Sequence, residues 1–260
     1  KLAVKLRDKR KRDQYNQFVI EGYRELLRAC EAGFFVETIL VCEDFFLKNN
    51  EITLIKRLEK AGSRIIECNS RVFEKISYRD RPDGLFGITN KPSNSLEEMS
   101  KKWNDLDVLR LVVAQSIEKP GNLGTILRSA DASGCHGVIV CDSCTDVYNP
   151  NVVRASIGTL FTVDVVETTS EELLPWLEAQ GIELVATTPD TEAIYTEVTY
   201  KQRIAIAVGA EQYGLTNQWL EKAQQRVKIP MCGRADSLNV AMATTLMLYE
   251  LFRQSSNSSK

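Results

Sequence analysis

Apolar positions in the second half of the chain fall into short dense runs. Residues 108–114, 137–141, 161–166, 183–186 and 204–208 are each rich in Val, Ile, Leu and Ala. Runs this short and this apolar predict strands buried on both faces, as in a parallel sheet. Between them lie turns and helical stretches. Residues 120–134 read as a Pro-Gly turn entering a helix, and 149–156 as a turn entering another. The first part alternates similarly. Phe18–Gly22 predicts a strand and turn, Tyr23–Glu31 a helix with Leu26, Leu27 and Cys30 inward, and Phe34–Cys42 a strand. A helix over 52–61 and strands over 64–68 and 85–89 complete a small α/β sandwich. Residues 91–102 are polar and read as connecting chain. The pattern therefore predicts a front domain over 1–92, a linker over 93–106 and a larger α/β domain over 107–260.

Near the end, an apolar run containing Val227 and Ile229 stops at Pro230, and a polar loop with Gly233 follows. Asp236 or Ser237 then suits a helix cap, because a short oxygen-bearing side chain accepts from first-turn amides. Leu238, Ala241, Met242, Leu246, Leu248, Tyr249 and Phe252 spread over most of that helix, which predicts burial all round. Asn239 stands in its first turn, where an apolar residue is routine. Three strand ends carry small or polar residues followed by turns, at 187–189, 209–215 and 229–239. Ligands of open parallel sheets bind outside the carboxyl ends of strands, so these three loops predict a small-molecule pocket.

Charge adds an asymmetry. The net charge is only −2, but residues 1–92 hold 19 Lys and Arg against 14 Asp and Glu, and the remainder holds 14 against 21. A basic front and an acidic back imply different partners. Residues 1–12 contain seven basic side chains, among them Lys9, Arg10 and Arg12, and one acid. Such a run is either a solvated helix face or an arm that follows phosphates. The loop Ser77–Gly84 places Tyr78 beside Arg79 and Arg81, a composition that serves base stacking and phosphate binding, or a plain turn.

Seven cysteines, an odd number, fit free thiols in a reducing cytoplasm better than a disulfide framework. Cys141 and Cys144 have metal-type spacing, but no second pair exists and His136 is the only histidine, so no metal is expected. His136, at a helix–strand junction, reads as structural. No apolar run reaches the roughly 18 residues that span a bilayer. The turn at 120–124 lacks both the dinucleotide fingerprint and the phosphate-binding Gly-Lys-Ser/Thr. An ordinary nucleotide-cofactor enzyme on a doubly wound sheet is accordingly disfavoured.

Taken together and in order, three segments resemble a known family. Pro120-Gly121-Asn122-x-Gly124-Thr125-Ile126-x-Arg128, Gly209-x-Glu211-x-x-Gly214-Leu215 and Ile229-Pro230-Met231-x-Gly233-x-x-x-Ser237-Leu238-Asn239-Val240 are similar to the motifs of the SpoU (TrmH-like) RNA ribose 2′-O-methyltransferases. The front unit, with its Phe-Val-Ile-Glu-Gly segment, resembles the ribosomal-protein-like (L30e-like) substrate-binding domain often fused to them. Glu118-Lys119 departs from the pattern where an Asp often stands. The resemblance implies a C-terminal SPOUT trefoil-knot domain and a homodimer. It implies S-adenosylmethionine bound at Thr187, Thr188, Gly209, Glu211, Gly214, Ile229, Met231 and Leu238. It gives the catalytic roles to Arg128, Asn122, Glu211, Ser237 and Asn239, with Arg128 facing the other subunit's cofactor. Lys9, Arg10, Arg12, Arg79, Arg81 and Arg154 would meet RNA, ribosomal ahead of transfer RNA. An inactive RNA-binding protein on the same scaffold is the remaining alternative.

Overall fold

The structure, a computed structural model, describes residues 1–142 and 145–257. Cys144, half of the cysteine pair set aside above, lies outside the described residues. The chain forms two compact units. One comprises residues 1–93 together with 146–162, and the other residues 94–145 together with the chain from Val163 onward.

In chain order the first unit begins with α1 (Leu2–Lys5) and α2 (Lys9–Tyr15). The basic run is thus helical, started by Asp8, whose carboxylate accepts from the Lys11 amide at 3.2 Å. It ends at Asn16 in the left-handed region. There follow β1 (Gln17–Glu21), α3 (Tyr23–Glu31), β2 (Thr38–Val41), α4 (Asn50–Lys60), β3 (Arg64–Glu67), α5 (Ser70–Ile76) and β4 (Leu85–Asn90). The strands form a sheet in the order β1-β4-β2-β3, antiparallel except for β2 beside β3. Phe18, Ile20, Leu26, Ile39, Leu54, Leu58, Phe73 and Phe86 are buried around it.

The second unit opens with α6 (Leu96–Trp103), β5 (Leu109–Gln115), α7 (Pro120–Ala132) and β6 (Gly137–Cys141). The chain then contributes α8 (Pro150–Ser156) to the first unit. It resumes with β7 (Asp164–Thr168), α9 (Ser170–Ala179), β8 (Glu183–Thr187), β9 (Arg203–Val208), α10 (Asn217–Lys222), β10 (Gln225–Val227) and α11 (Val240–Asn257). A six-stranded sheet in the order β10-β8-β9-β5-β6-β7 is parallel throughout. Its inner strands β9, β5 and β6 are buried at every position except Arg110 and Arg203, in line with their apolar composition. The carboxyl ends of β8, β9 and β10 carry the three loops marked in the sequence.

Four expectations need correction. Residues 96–103 are no linker. Ser95 and Glu98 form a reciprocal capping box, and Met99 and Trp103 enter the second unit's core. A Cβ on Gly137 would lie 2.6 Å from the Trp103 ring, so this close seat requires glycine. Truncating a tryptophan so placed costs roughly 3–5 kcal/mol, which makes α6 a structural member of the unit.

Residues 146–162 do not join the second unit as a division at 107 implied. Arg12 and Asp146 form a buried ion pair at 2.5 Å, and Arg28 donates to the Ile157 carbonyl at 2.6 Å. Phe18 and Phe34 pack against Tyr148 and Phe161 with ring centroids 4.7–6.4 Å apart. This aromatic group also explains why β2 starts at Thr38: Phe34 turns into the cluster instead of extending the strand.

The last helix starts at Val240, and its first amides are met by Asn239, not by Asp236 or Ser237. The Asn239 Oδ1 accepts from Ala241 at 3.0 Å and from Met242 at 3.4 Å. Nor is that helix buried all round. Val240, Ala241, Met247, Leu248 and Leu251 face inward, whereas Met242, Leu246, Tyr249 and Phe252 are exposed. The small residues Ala241, Ala243 and Thr244 let α11 lie close on α7, where the Ser129 and Thr245 hydroxyls meet at 2.6 Å.

Candidate functional site

Two glycines shape the loop after β9. A Cβ on Gly209 would collide with the backbone of Gly214 and Leu215. Gly214 takes a φ of 66°, and its amide donates to the Ala210 carbonyl at 2.8 Å. The loop therefore closes tightly on itself and offers backbone to whatever lies beside it. Opposite are Thr187 and Thr188 at the end of β8 and the segment 229–238 after β10. Between them lies a cavity of about 500 Å³, within the ~300–1,000 Å³ typical of small-molecule sites. All eight residues expected at the cofactor line it, as do Asp190, Tyr213, Asn217, Leu220, Asp236 and Ser237. Asn217 and Leu220 come from α10, which the apolar pattern did not pick out. Thr216 before Trp219 and Leu220 was the available signal.

The three motifs meet in one hydrogen-bonded chain. Asn122, in the first turn of α7, donates its amide to Glu211 Oε1. Asn239 donates in turn to Asn122 Oδ1 at 3.1 Å. Since Asn239 also caps α11, one side chain fixes the helix start and the polar chain together. Glu211 Oε2 and Thr187 Oγ1 are buried and have no partner among the described residues. A buried oxygen without a donor costs about 1–3 kcal/mol, so the pair marks a place for a ligand's polar groups. Ile229, Met231, Leu215 and Leu238 supply apolar surface on the same cavity. This set fits S-adenosylmethionine: two orphan oxygens for its hydroxyls or amine, bare loop backbone, and an apolar wall for its adenine.

Arg128 is exposed on α7 and does not line this cavity; neither does Asn122. His136 accepts the Arg110 amide at Nδ1, and burial holds its pKa below the usual histidine value, so it stays neutral and structural. Burial pushes the thiols of Cys135 and Cys141 up to about 12, which leaves them inert.

The expected RNA contacts divide. Lys9, Arg10, Arg81 and Arg154 are exposed. Arg12 is not. It is 1% exposed, and its guanidinium is consumed by Asp146 and by the Leu6 and Arg7 carbonyls, both at 2.8 Å. Arg79 folds back onto Glu25 at 2.7 Å, Asp83 at 3.3 Å and the Glu21 carbonyl at 2.8 Å. Burial raises the Glu25 pKa while Arg79 opposes that rise, as in an internal ion pair. Arg12 and Arg79 thus hold the fold, and a count of basic residues cannot tell such arginines from phosphate ligands.

Residues 110–249 match the SpoU rRNA methylase family, and residues 1–87 match the MRM3-like substrate binding domain. The chain is 32% identical over 255 residues to the 23S rRNA (uridine(2479)-2′-O)-methyltransferase of Streptomyces viridochromogenes, covering 96% of this chain and 87% of that one. A crystal structure of an RNA 2′-O ribose methyltransferase superposes with a TM-score of 0.85 at 40% identity, covering 98% and 95% of the two chains. The AdoMet-bound rRNA methyltransferase of Sinorhizobium meliloti gives 0.87 at 30% identity, covering 97% and 93%. With the family's pattern carried over more than half its length, on this sheet and with these three loops joined at one end, the chain belongs to the SpoU rRNA methylase family.

Proposed function

We propose that this protein methylates a ribose 2′-hydroxyl in structured RNA with S-adenosylmethionine as donor, and that the RNA is 23S ribosomal RNA. The observation that carries the reading is the cavity at the ends of β8, β9 and β10, lined by every residue expected to hold the cofactor. The likeness of the chain to 23S rRNA 2′-O-methyltransferases over nearly its whole length supports ribosomal over transfer RNA. The intact Asn122, Arg128, Glu211, Ser237 and Asn239 speak against an inactive scaffold.

When bound, the cofactor supplies an electrophilic methyl on a cationic sulfonium. The chain's own work would be positioning, bringing the ribose 2′-oxygen within reach of that methyl. Asn239, Asn122 and Glu211 form the rigid polar rail for this task, and Glu211 Oε2 accepts from a nucleoside hydroxyl. The guanidinium fork of Arg128 matches the geometry of a phosphate. Its role in this reading is to grip a phosphate and present the ribose.

The same reading makes the protein a homodimer. Met242, Leu246, Tyr249 and Phe252 form one exposed apolar stripe on α11, of the kind that marks an interface. Arg128 stands on the neighbouring helix α7, available to a partner's cavity. A trefoil knot belongs to this reading too. In its support, the segment 229–238 borders the loops after β8 and β9, and α11 then packs on α7 and β9. The site needs no metal in this account. Among the described residues no helix is long and apolar enough to cross a membrane, and the six described cysteines are free thiols. The free thiols, and the likeness to 23S rRNA methyltransferases, are in keeping with an enzyme of the reducing cytoplasm.

The test is methyl transfer to purified ribosomal RNA, unfolded and in subunits, followed by mapping of linkages that resist alkaline cleavage. One protected nucleotide is expected. Methyl groups on bases alone, or none, overturn the reading, and transfer to tRNA only moves the substrate.

A further inference from the structure

The loop Ser77–Gly84 in the first unit is held more firmly than a surface turn requires. Glu21, at the end of β1, is 7% exposed. Its Oε2 accepts from the Tyr78 amide at 2.7 Å, and its Oε1 accepts from the Arg79 amide at 3.3 Å and from the Ser77 hydroxyl. Arg79 lies beneath, committed to Glu25 and Asp83. Arg7 donates to the Ser77 carbonyl at 2.5 Å and to the Lys75 carbonyl at 3.2 Å. These bonds leave its guanidinium over the Tyr78 ring, 5.7 Å from the centroid. From the 146–162 segment, Asn151 donates to the Tyr78 hydroxyl at 3.3 Å. Tyr78 nevertheless remains 39% exposed. Beside it is a small cleft bordered by Val19, Pro150 and the exposed Arg154.

We propose that Tyr78 is a stacking platform for one unpaired base of the RNA substrate, with Arg7 polarising the ring and Arg154 holding an adjacent phosphate. A buried carboxylate, an arginine and an asparagine from three distant parts of the chain converge to fix an aromatic ring that stays open. Fixing the ring beforehand removes the entropy cost of ordering it on binding. Stacking on such a ring strengthens binding about tenfold per base, and any base with a free face will serve. Bases within an A-form duplex have no free face, so the site selects loops, bulges and unpaired strands. Of the acids in or bonded to this loop, Glu21 and Asp83 are buried and Asp80 is exposed. The inference rests on the reading of the protein as acting on RNA, but its test needs no methyl transfer.

The experiment uses the full chain and two fluorescein-labelled RNAs of about 12 nucleotides per strand, one single-stranded and one a duplex, read by anisotropy at fixed salt. Tyr78→Ala should weaken single-strand binding about tenfold and duplex binding less than about twofold. Tyr78→Phe should stay within about twofold of wild type on both, because the face and not the hydroxyl meets the base. Tyr78→Trp should keep affinity, and its added fluorescence should be quenched on binding the single strand. Equal weakening of both RNAs by Tyr78→Ala, a Phe variant as weak as Ala, or an unquenched Trp each overturns the proposal. Should Tyr78→Ala fail to fold, the Phe and Trp variants decide alone. Wild-type transfer to ribosomal RNA is measured in parallel. Tyr78-dependent strand binding without transfer removes the proposed function and leaves this site; transfer with Tyr78-independent binding removes only the site.

Discussion

Two polar clusters, each containing residues that the sequence marked as functional, behave oppositely. In the first unit, Arg12 and Asp146 are complete. Asp146 Oδ2 takes both Arg12 Nε and Nη2, its Oδ1 takes the Tyr148 amide at 2.9 Å, and Arg12 Nη1 reaches two carbonyls. In the second unit, the Asn239–Asn122–Glu211 chain stops short. Glu211 Oε2 is buried and open, and so is Thr187 Oγ1 beside the same cavity. We read the complete cluster as structure and the incomplete one as prepared for a ligand. The open oxygens of the second count toward a ligand because they border the cavity; Glu25 Oε2 and Asp83 Oδ1, in the Arg79 ion-pair cluster, are also buried without a partner among the described residues but line no such cavity.

The sharpest break of this contrast is at Arg12. Arg12→Ala leaves Asp146 charged and buried, and should cost about 3–5 kcal/mol in urea unfolding. Replacing both partners by apolar residues of similar size, Arg12→Met with Asp146→Leu, should recover most of that loss. The corresponding pair Asn122→Leu with Glu211→Leu should fold but never recover transfer. Recovery of activity there would show the rail to be mere scaffolding. The same pairing bears on any dissection of the units. A truncation to residues 93–260 would strip Asp146, Tyr148 and Phe161 of their partners. A weakened truncated enzyme would thus report misfolding of 146–162 as well as lost RNA contacts.

Next in size are losses of turnover. If Arg128 acts on the ribose and its phosphate as proposed, Arg128→Ala should reduce methyl transfer by about 100-fold or more while changing cofactor affinity less than about twofold. Calorimetry and single-turnover transfer separate the two quantities. Gly209→Ala should show the reverse priority. An added Cβ meets backbone at Gly214 that has nowhere to move, so the loop and the cofactor's seat open together. Cofactor affinity should fall about tenfold or more with far-ultraviolet dichroism unchanged.

Much of this architecture is legible in the chain. The buried strands announce themselves by apolar runs, and the pocket by small and polar residues after 186, 208 and 227. What misled was local. Polar spacing hid α6, whose core contribution is two side chains, Met99 and Trp103, among charges. The apolar circumference of α11 suggested full burial, yet Met242, Leu246, Tyr249 and Phe252 are exposed, because apolar composition alone does not say which face of a helix meets the core. The basic run at 1–12 looked uniform, yet Arg12 is the one member whose position on α2 turns inward, and its partner lies 134 residues away. Pairings at that separation leave no periodic trace.

The smallest effect tests completeness at a third carboxylate. Glu250, on α11, is buried and satisfied: its oxygens accept from Arg253 at 2.6 and 2.8 Å and from Gln254 at 2.8 Å. Gln254 passes the restraint on, donating to the Val198 carbonyl and accepting the Tyr200 amide. The Arg253 hydrogen bonds, against the opposing cost of burial, hold the Glu250 pKa below its ordinary 4.5. A depressed carboxylate stabilises the fold above its unfolded pKa, and that contribution is lost as pH falls through the folded value. Glu250→Gln should therefore cost no more than about 1 kcal/mol at pH 7, because Arg253 is largely exposed and the pair is screened. The difference between variant and wild type should shrink as pH drops below 4.5 and vanish once wild-type Glu250 is protonated. A difference that persists in acid would mean that Glu250 acts through shape and not through charge. The satisfied carboxylates of this molecule would then have to be ranked by packing before hydrogen bonding.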